Sequence, residues 1–165
     1  MAQRMGSVEM FVRIGDVDAP LVPLASADYV VALEMIEALR AARYLRRCGW
    51  LLASNIFIPP PGSGGTLNRE RVAEALRALP AKTVIVDVRS IARELGDPRV
   101  VNMAMLGVLL ATDDIGSLVS VEVAEDVVRT MLGETNRKAL LAGYTQAREK
   151  IGSGGVYAES CSQRL

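Results

Sequence analysis

A chain of 165 residues, half of them apolar, is long enough for one domain with a proper core and too short for two of ordinary size. Lys plus Arg and Asp plus Glu both number 19, and a net charge of zero leaves no excess to hold a phosphate backbone, which argues against nucleic-acid binding. Histidine is absent and there are 2 cysteines, so the commonest general base, the usual zinc ligand and any disulfide framework are all missing.

The N-terminus lacks the apolar run of a secretory signal. The longest apolar segment, residues 100–111, contains Asn102 and is too short to span a bilayer, so the expected setting is cytoplasmic with no membrane contact. Residues 8–14 (VEMFVRI) alternate Val8, Met10, Val12 and Ile14 with Glu9, Phe11 and Arg13, which predicts a strand near a sheet edge. Residues 15–23 carry Gly, Asp and two prolines and form a loop.

The organising unit follows. Residues 28–33 form a short apolar run suited to a strand covered on both faces. Ala32, Met35, Ile36, Leu39, Ala42 and Leu45 then recur at helical spacing. Glu34 and Glu37 fall in the first turn of that helix, and Arg43, Arg46 and Arg47 in its last, complementing the macrodipole. Cys48 closes the helix, Gly49 is its stop, and residues 50–54 form the next strand, completing a parallel βαβ unit.

Residues 56–67 (IFIPPPGSGGTL) read as a loop; a phosphate cradle is the functional alternative, but the Lys-Ser/Thr pair of a P-loop is missing. A helix over residues 68–79 buries Val72, Ala75, Leu76 and Leu79, and residues 83–88 form a β-branched central strand. From Ser90 the pattern is helical. Ser90 caps a short helix closed by Gly96, and Asp97-Pro98 opens one over residues 100–111 that is apolar nearly all round. In it Asn102 needs a partner if buried, and Gly107 permits a close backbone approach. Helices over residues 120–131 and 134–151 are split by Gly133, with Leu140, Tyr144, Ala147 and Ile151 on the inner face of the last. The expected architecture is a three-layer α/β/α domain with a mainly parallel sheet and a helical C-terminal third. Its expected span is residues 1–151, with a flexible tail over 152–165.

No nucleophile stands beside a base, so no catalytic residue and no metal ligand is assigned. Five residues are candidates for facing a ligand or a partner. Glu34 and Glu37 follow a strand's C-terminal end, where open α/β sheets hold ligands, although a helix-dipole role also explains them. Asn55 lies just past its strand, Arg13 could pair with a carboxylate or phosphate, and Asn102 is the polar group of an apolar helix.

Residues 2–8 (AQRMGSV), 12–15 (VRIG), Ala27-Asp28, 32–40 (ALEMIEALR), 96–103 (GDPRVVNM), Leu106-Gly107 and 136–143 (NRKALLAG) together resemble the gamma-type subunit of 2-oxoacid:ferredoxin oxidoreductases. Within that group the likeness is greatest to the beta subunit of the indolepyruvate-specific type. The resemblance implies a Rossmann-like subunit of pyruvate metabolism that binds no thiamine diphosphate. A large partner subunit would carry thiamine diphosphate and the iron–sulfur clusters, and the pair would convert an aryl-pyruvate, coenzyme A and oxidised ferredoxin to an aryl-acetyl-CoA, carbon dioxide and reduced ferredoxin. The alternative is a stand-alone α/β domain that binds a nucleotide or a protein and has no redox role.

Family members carry a strand, a G-x-G-G-Q-G turn and a helix ahead of the Ala-Gln-Arg segment, and the chain starts inside the loop that follows them; Met5 stands where the family usually has glycine. The strands at Asp28 and Thr83 are therefore expected to keep an uncovered apolar face or edge, and the isolated chain to self-associate or to need the large subunit for solubility.

Overall fold

The computed structural model describes residues 8–17, 19–60, 67–157 and 161. Three strands, β1 (Ala27–Ala32), β2 (Leu45–Ser54) and β3 (Lys82–Val86), form a wholly parallel sheet in the order β1-β2-β3. Helices α1 (Met35–Ala41), α2 (Arg69–Arg77), α3 (Val88–Glu94), α4 (Val101–Leu110), α5 (Asp113–Leu118), α6 (Val121–Leu132) and α7 (Glu134–Gly152) make up the rest.

Alternation along β2 divides the core in two. Leu51 and Ala53 join Val30 and Ala32 of β1 beneath Met35, Ala38, Val72 and Leu76 of α1 and α2. Leu52, with Val84 and Val86 of β3, faces Ile91, Ala104, Met105, Val108 and Ala147 of α3, α4 and α7. Each fully buried Leu or Val contributes about 1.5–3 kcal/mol relative to exposure, which is why Leu51–Ala53 of β2 and Val84–Val86 of β3 can be apolar on both faces. The three-layer expectation and the parallel sheet both stand.

Helix α4 is the central one. Gly107 faces α7 so closely that a Cβ there would lie 1.9 Å from the Leu140 carbonyl oxygen, and one on Gly143 would lie 2.0 Å from that of Ala104. The two helices meet backbone to backbone, as Gly107 suggested. Gly143 is its reciprocal partner.

Three boundaries differ from expectation. The long helix of the βαβ unit stops at Ala41, passes through a 3-10 turn at Ala42–Tyr44, and gives way to β2 at Leu45. Arg46, Arg47, Cys48 and Gly49 thus belong to the strand. Leu45 pairs with Ala27 while Trp50 pairs with Tyr29, so four residues of β2 bulge opposite Asp28. Burial of Leu45 and the bond from Arg46 Nε to Asp28 Oδ1 at 2.7 Å outweigh the helical pattern. Gly49 is no helix stop: a Cβ on it would meet the Leu45 side chain at 2.7 Å and the Asp28 carbonyl oxygen at 2.9 Å. The strand expected over residues 83–88 ends at Val86, because Asp87 caps α3 by accepting from Ser90 N–H at 3.1 Å; Ser90 does not cap that helix itself.

Residues 8–14 form no strand. The stretch lies off the sheet, yet its alternation is real. Glu9 accepts from Tyr44 Oη at 3.0 Å, Phe11 meets the Tyr44 ring edge-on at 5.2 Å, and Arg13 Nη1 donates to the Ala19 carbonyl at 2.9 Å. Val8, Met10, Val12 and Ile14 face solvent, so side chains rather than a ladder hold this segment in place.

The expected uncovered face is found on one strand of two. On β1 and just beyond it, Val31 and Leu33 are 40% and 48% exposed, whereas Thr83, Val84 and Val86 of β3 are wholly buried. The outer edge of β3 pairs with Tyr157, which exchanges two hydrogen bonds of 3.1 Å with Thr83 beneath the Arg77 guanidinium. The phosphate-cradle alternative falls largely on residues 61–66, outside the described residues.

Candidate functional site

Parallel strands deliver their C-terminal ends to one side, and there the chain places Glu34, Ser54, Asn55 and Asp87. Ala32 pairs with Ala53 and Ser54 with Val86, so these residues end their strands at nearly one level.

Glu34 is the N-cap of α1, in extended conformation at φ −153° and ψ 145°. Its Oε2 accepts from the Ile36 and Glu37 amides at 2.8 and 2.9 Å, and its Oε1 accepts from the Ile58 amide at 2.9 Å. One carboxylate thus satisfies two orphan donors of the helix and pins the loop that follows β2. Ser54 locks the same corner, its hydroxyl donating to the Leu33 carbonyl at 2.6 Å and accepting from the Ile56 amide at 3.2 Å. Glu37 sits a turn further along α1 and bonds Arg40 Nη1 at 2.5 Å.

Asn55 Nδ2 donates to Asp87 Oδ1 at 2.5 Å, and the Asn55 carbonyl accepts from Arg69 Nη2 at 2.8 Å. Its Oδ1 is the one buried side-chain oxygen or nitrogen without a hydrogen-bond partner among the described residues. Such an atom costs free energy unless water or a ligand reaches it. The sheet therefore brings Glu34 and Asn55 to one end. The other candidates are spent locally: Arg13 staples residues 19 and 21, and Asn102, exposed on α4, accepts from the Met103 amide at 2.9 Å. Because Asn102 is exposed, its need for a buried partner disappears.

Asp87, Ser54 and Arg69 escaped sequence reasoning. The spacing of Asp87 and Ser90 carried a usable signal, an Asp three residues ahead of the amide it caps. Glu34 as a cap carried none, since Glu is not a favoured N-cap residue. Among the described residues no group of three His, Cys, Asp or Glu side chains could hold a metal ion.

A second surface is apolar. Helix α6 buries Val128, yet Val123, Val127 and Met131, at four-residue intervals, are 59%, 50% and 75% exposed. A helix with an inner apolar stripe and an outer one has two faces to cover. Its polar side is tied to α7 by Arg137, which bonds Glu125 and Glu134. Those bonds raise the Arg137 pKa, the larger share coming from Glu134.

Residues 1–146 match the family described as pyruvate ferredoxin/flavodoxin oxidoreductase. The chain is 36% identical over 153 residues to the indolepyruvate oxidoreductase subunit IorB of Archaeoglobus fulgidus, covering 89% of this chain and 76% of that protein. It is 31% identical over 161 residues to the subunit of the same name from Pyrococcus horikoshii, with 92% and 79% covered. For the Methanothermobacter thermautotrophicus IorB the figures are 30% over 159 residues, 90% and 79%.

Proposed function

The chain belongs to the pyruvate ferredoxin/flavodoxin oxidoreductase family, and on that premise we propose that it is the subunit without thiamine diphosphate of an indolepyruvate:ferredoxin oxidoreductase. The complex oxidatively decarboxylates an aryl-pyruvate to its acyl-CoA and passes the electrons to ferredoxin. What carries this reading is the likeness to IorB subunits along most of the chain.

The donor set fits the division of labour. Two cysteines fall short of the four thiolates of an iron–sulfur cluster, so the clusters, like thiamine diphosphate, are assigned to the large partner subunit. The carboxylate of Glu34 is committed to three backbone amides, which supports a subunit that shapes and covers rather than one that moves protons. Residues 1–151 act as one unit in the cytoplasm; among the described residues no helix is long and apolar enough to cross a membrane.

The outer stripe of α6 and the apolar row of residues 8–14 are the faces assigned to the large subunit. Isolated, the chain self-associates through them. Coenzyme A approaches at the complex, with Asn55 and the C-terminal end of the sheet nearest to a ligand role.

Co-expression with the large subunit tests the reading. Indolepyruvate-dependent dye reduction should require both chains. An equal rate from the large subunit alone would overturn it, as would a V127E/M131E variant that folds normally and still co-purifies in full amount.

A further inference from the structure

The outer stripe of α6 is centred on one residue. Val127 has an exposed apolar side chain a turn before it, Val123, and another a turn after it, Met131. At about 100° per residue, Asp126 falls on the flank of this stripe and Arg129 just behind it. The two are paired at 2.5 Å, yet both side chains stay more than half exposed, and with Glu122 and Glu125 they line a shallow groove. A guanidinium carries five donors, so one carboxylate does not exhaust it.

This pattern matches itself. An antiparallel copy of α6, related by a two-fold axis at Val127, brings each residue level with the one equally far on the other side of Val127 in its mate. Val127 then meets Val127, and Val123 meets Met131 twice over. The same operation brings Arg129 of each copy to within about 1.5 Å, along the helix axis, of the level of Asp126 in the other. A two-fold perpendicular to the plane of the two helices keeps each flank beside its own image, so two carboxylates and two guanidiniums alternate in a ring without net charge. A parallel pair would leave the two Asp126–Arg129 pairs on opposite sides of the contact, and no ring would close.

We propose that, where no large subunit covers it, the outer stripe of α6 is covered by a second copy of this chain, the two α6 helices packing antiparallel about Val127. The contact is isologous and therefore closes at two copies instead of growing into a filament. The apolar stripes drive it, and the alternating charges set direction and register, as flanking charges do in paired helices. One helix pair is small for a permanent interface, so a large subunit that uses the same stripe displaces the second copy. The proposal rests on the reading of this stripe as a protein interface and adds its occupant in the isolated chain.

Sedimentation velocity of the full chain at micromolar concentrations tests it. The expected result is a monomer–dimer equilibrium of the 17.7 kDa chain, with the dissociation constant raised at least about tenfold in V127E. D126R and R129D should each weaken the dimer, and D126R/R129D should regain most of the loss, because exchanging the two charges keeps the ring alternating. V127C, in a chain also carrying C48S and C161S, should cross-link into a dimer on mild oxidation. Thermal melts by far-UV circular dichroism show that each variant is folded; the side chains at 126, 127 and 129 are all exposed. A monomeric wild type, open-ended aggregates, a dimer indifferent to V127E, or a D126R/R129D protein no tighter than D126R would each overturn the proposal. Because the chain is tested alone, these outcomes are read apart from co-purification with the large subunit.

Discussion

Replacing Gly107 by alanine tests the reading of the α4–α7 contact. The added Cβ would lie 1.9 Å from the Leu140 carbonyl oxygen and 2.8 Å from the Tyr144 amide nitrogen, both backbone atoms that no rotamer change can move. Ordinary contact requires roughly 3.2–3.5 Å, so the helices must separate by more than about 1 Å at their closest point. Overpacking of this kind costs about 1–3 kcal/mol, and the helix-propensity gain of Ala over Gly returns about 1 kcal/mol. The shift also loosens contacts around Ala104, Val108 and Ala147, all wholly buried. The balance is a net loss of up to about 2 kcal/mol before the loosened contacts add to it, which for a chain of this size lowers Tm by up to roughly 8 °C. Urea unfolding followed by far-UV circular dichroism measures it. G152A is the control: no atom lies within 4 Å of its added Cβ, so it should be neutral or stabilising. A G107A protein as stable as wild type would mean that α4 and α7 do not meet backbone to backbone.

Other outcomes follow from individual contacts. E34A removes the acceptor of three amides and should lower stability by about 2–3 kcal/mol, read as a fall in urea midpoint; a loss no larger than that of E37A would contradict the capping role. R137Q should lower Tm by a margin that shrinks at about 0.5 M salt, because the pairs with Glu125 and Glu134 are partly screened. Asp97, bonded by Arg99, and Glu134, bonded by Arg137, have carboxyl pKa values held below the ordinary 3.8 and 4.5. Their folded pKa values are the lower ones, so the stability they add is present above those ordinary values and is lost as pH falls through the folded ones. Tm should thus fall in acid, and D97N should flatten part of that fall.

The fold was legible where period and burial agree. The strand expected over residues 28–33 and found at Ala27–Ala32, the cap at Asp97 and the close approach at Gly107 all follow from local residue chemistry. The helix end at Ala41 was not legible. Leu45 continues the 3.6 period of α1 and equally suits a buried strand, and only its pairing with Ala27 decides between them. The row at residues 8–14 shows the converse. Alternation told correctly that two faces differ, and it could not tell that the polar face would dock on Tyr44 while the apolar face stayed in water.

The same distinction separates the two candidate surfaces. At the C-terminal end of the sheet the polar groups answer to the backbone: Glu34 to three amides, Ser54 to the ends of two strands, Asp87 to Ser90 and Asn55. Groups so committed stabilise crossovers, and freeing one for proton transfer would leave buried donors unmade at about 1–3 kcal/mol each. Asn55 Oδ1 is the one buried side-chain oxygen or nitrogen left without a hydrogen-bond partner among the described residues. The apolar surplus lies elsewhere, on α6 and on residues 8–14, where Met10 and Met131 are 83% and 75% exposed. Covering such side chains is worth about 25 cal/mol per Å², and a stripe of them gains more from a partner than any single polar contact at the sheet end gains from a ligand. The proposed role as a covering subunit rests on that balance, with the outer faces assigned to the large subunit and the buried Asn55 Oδ1 to a ligand.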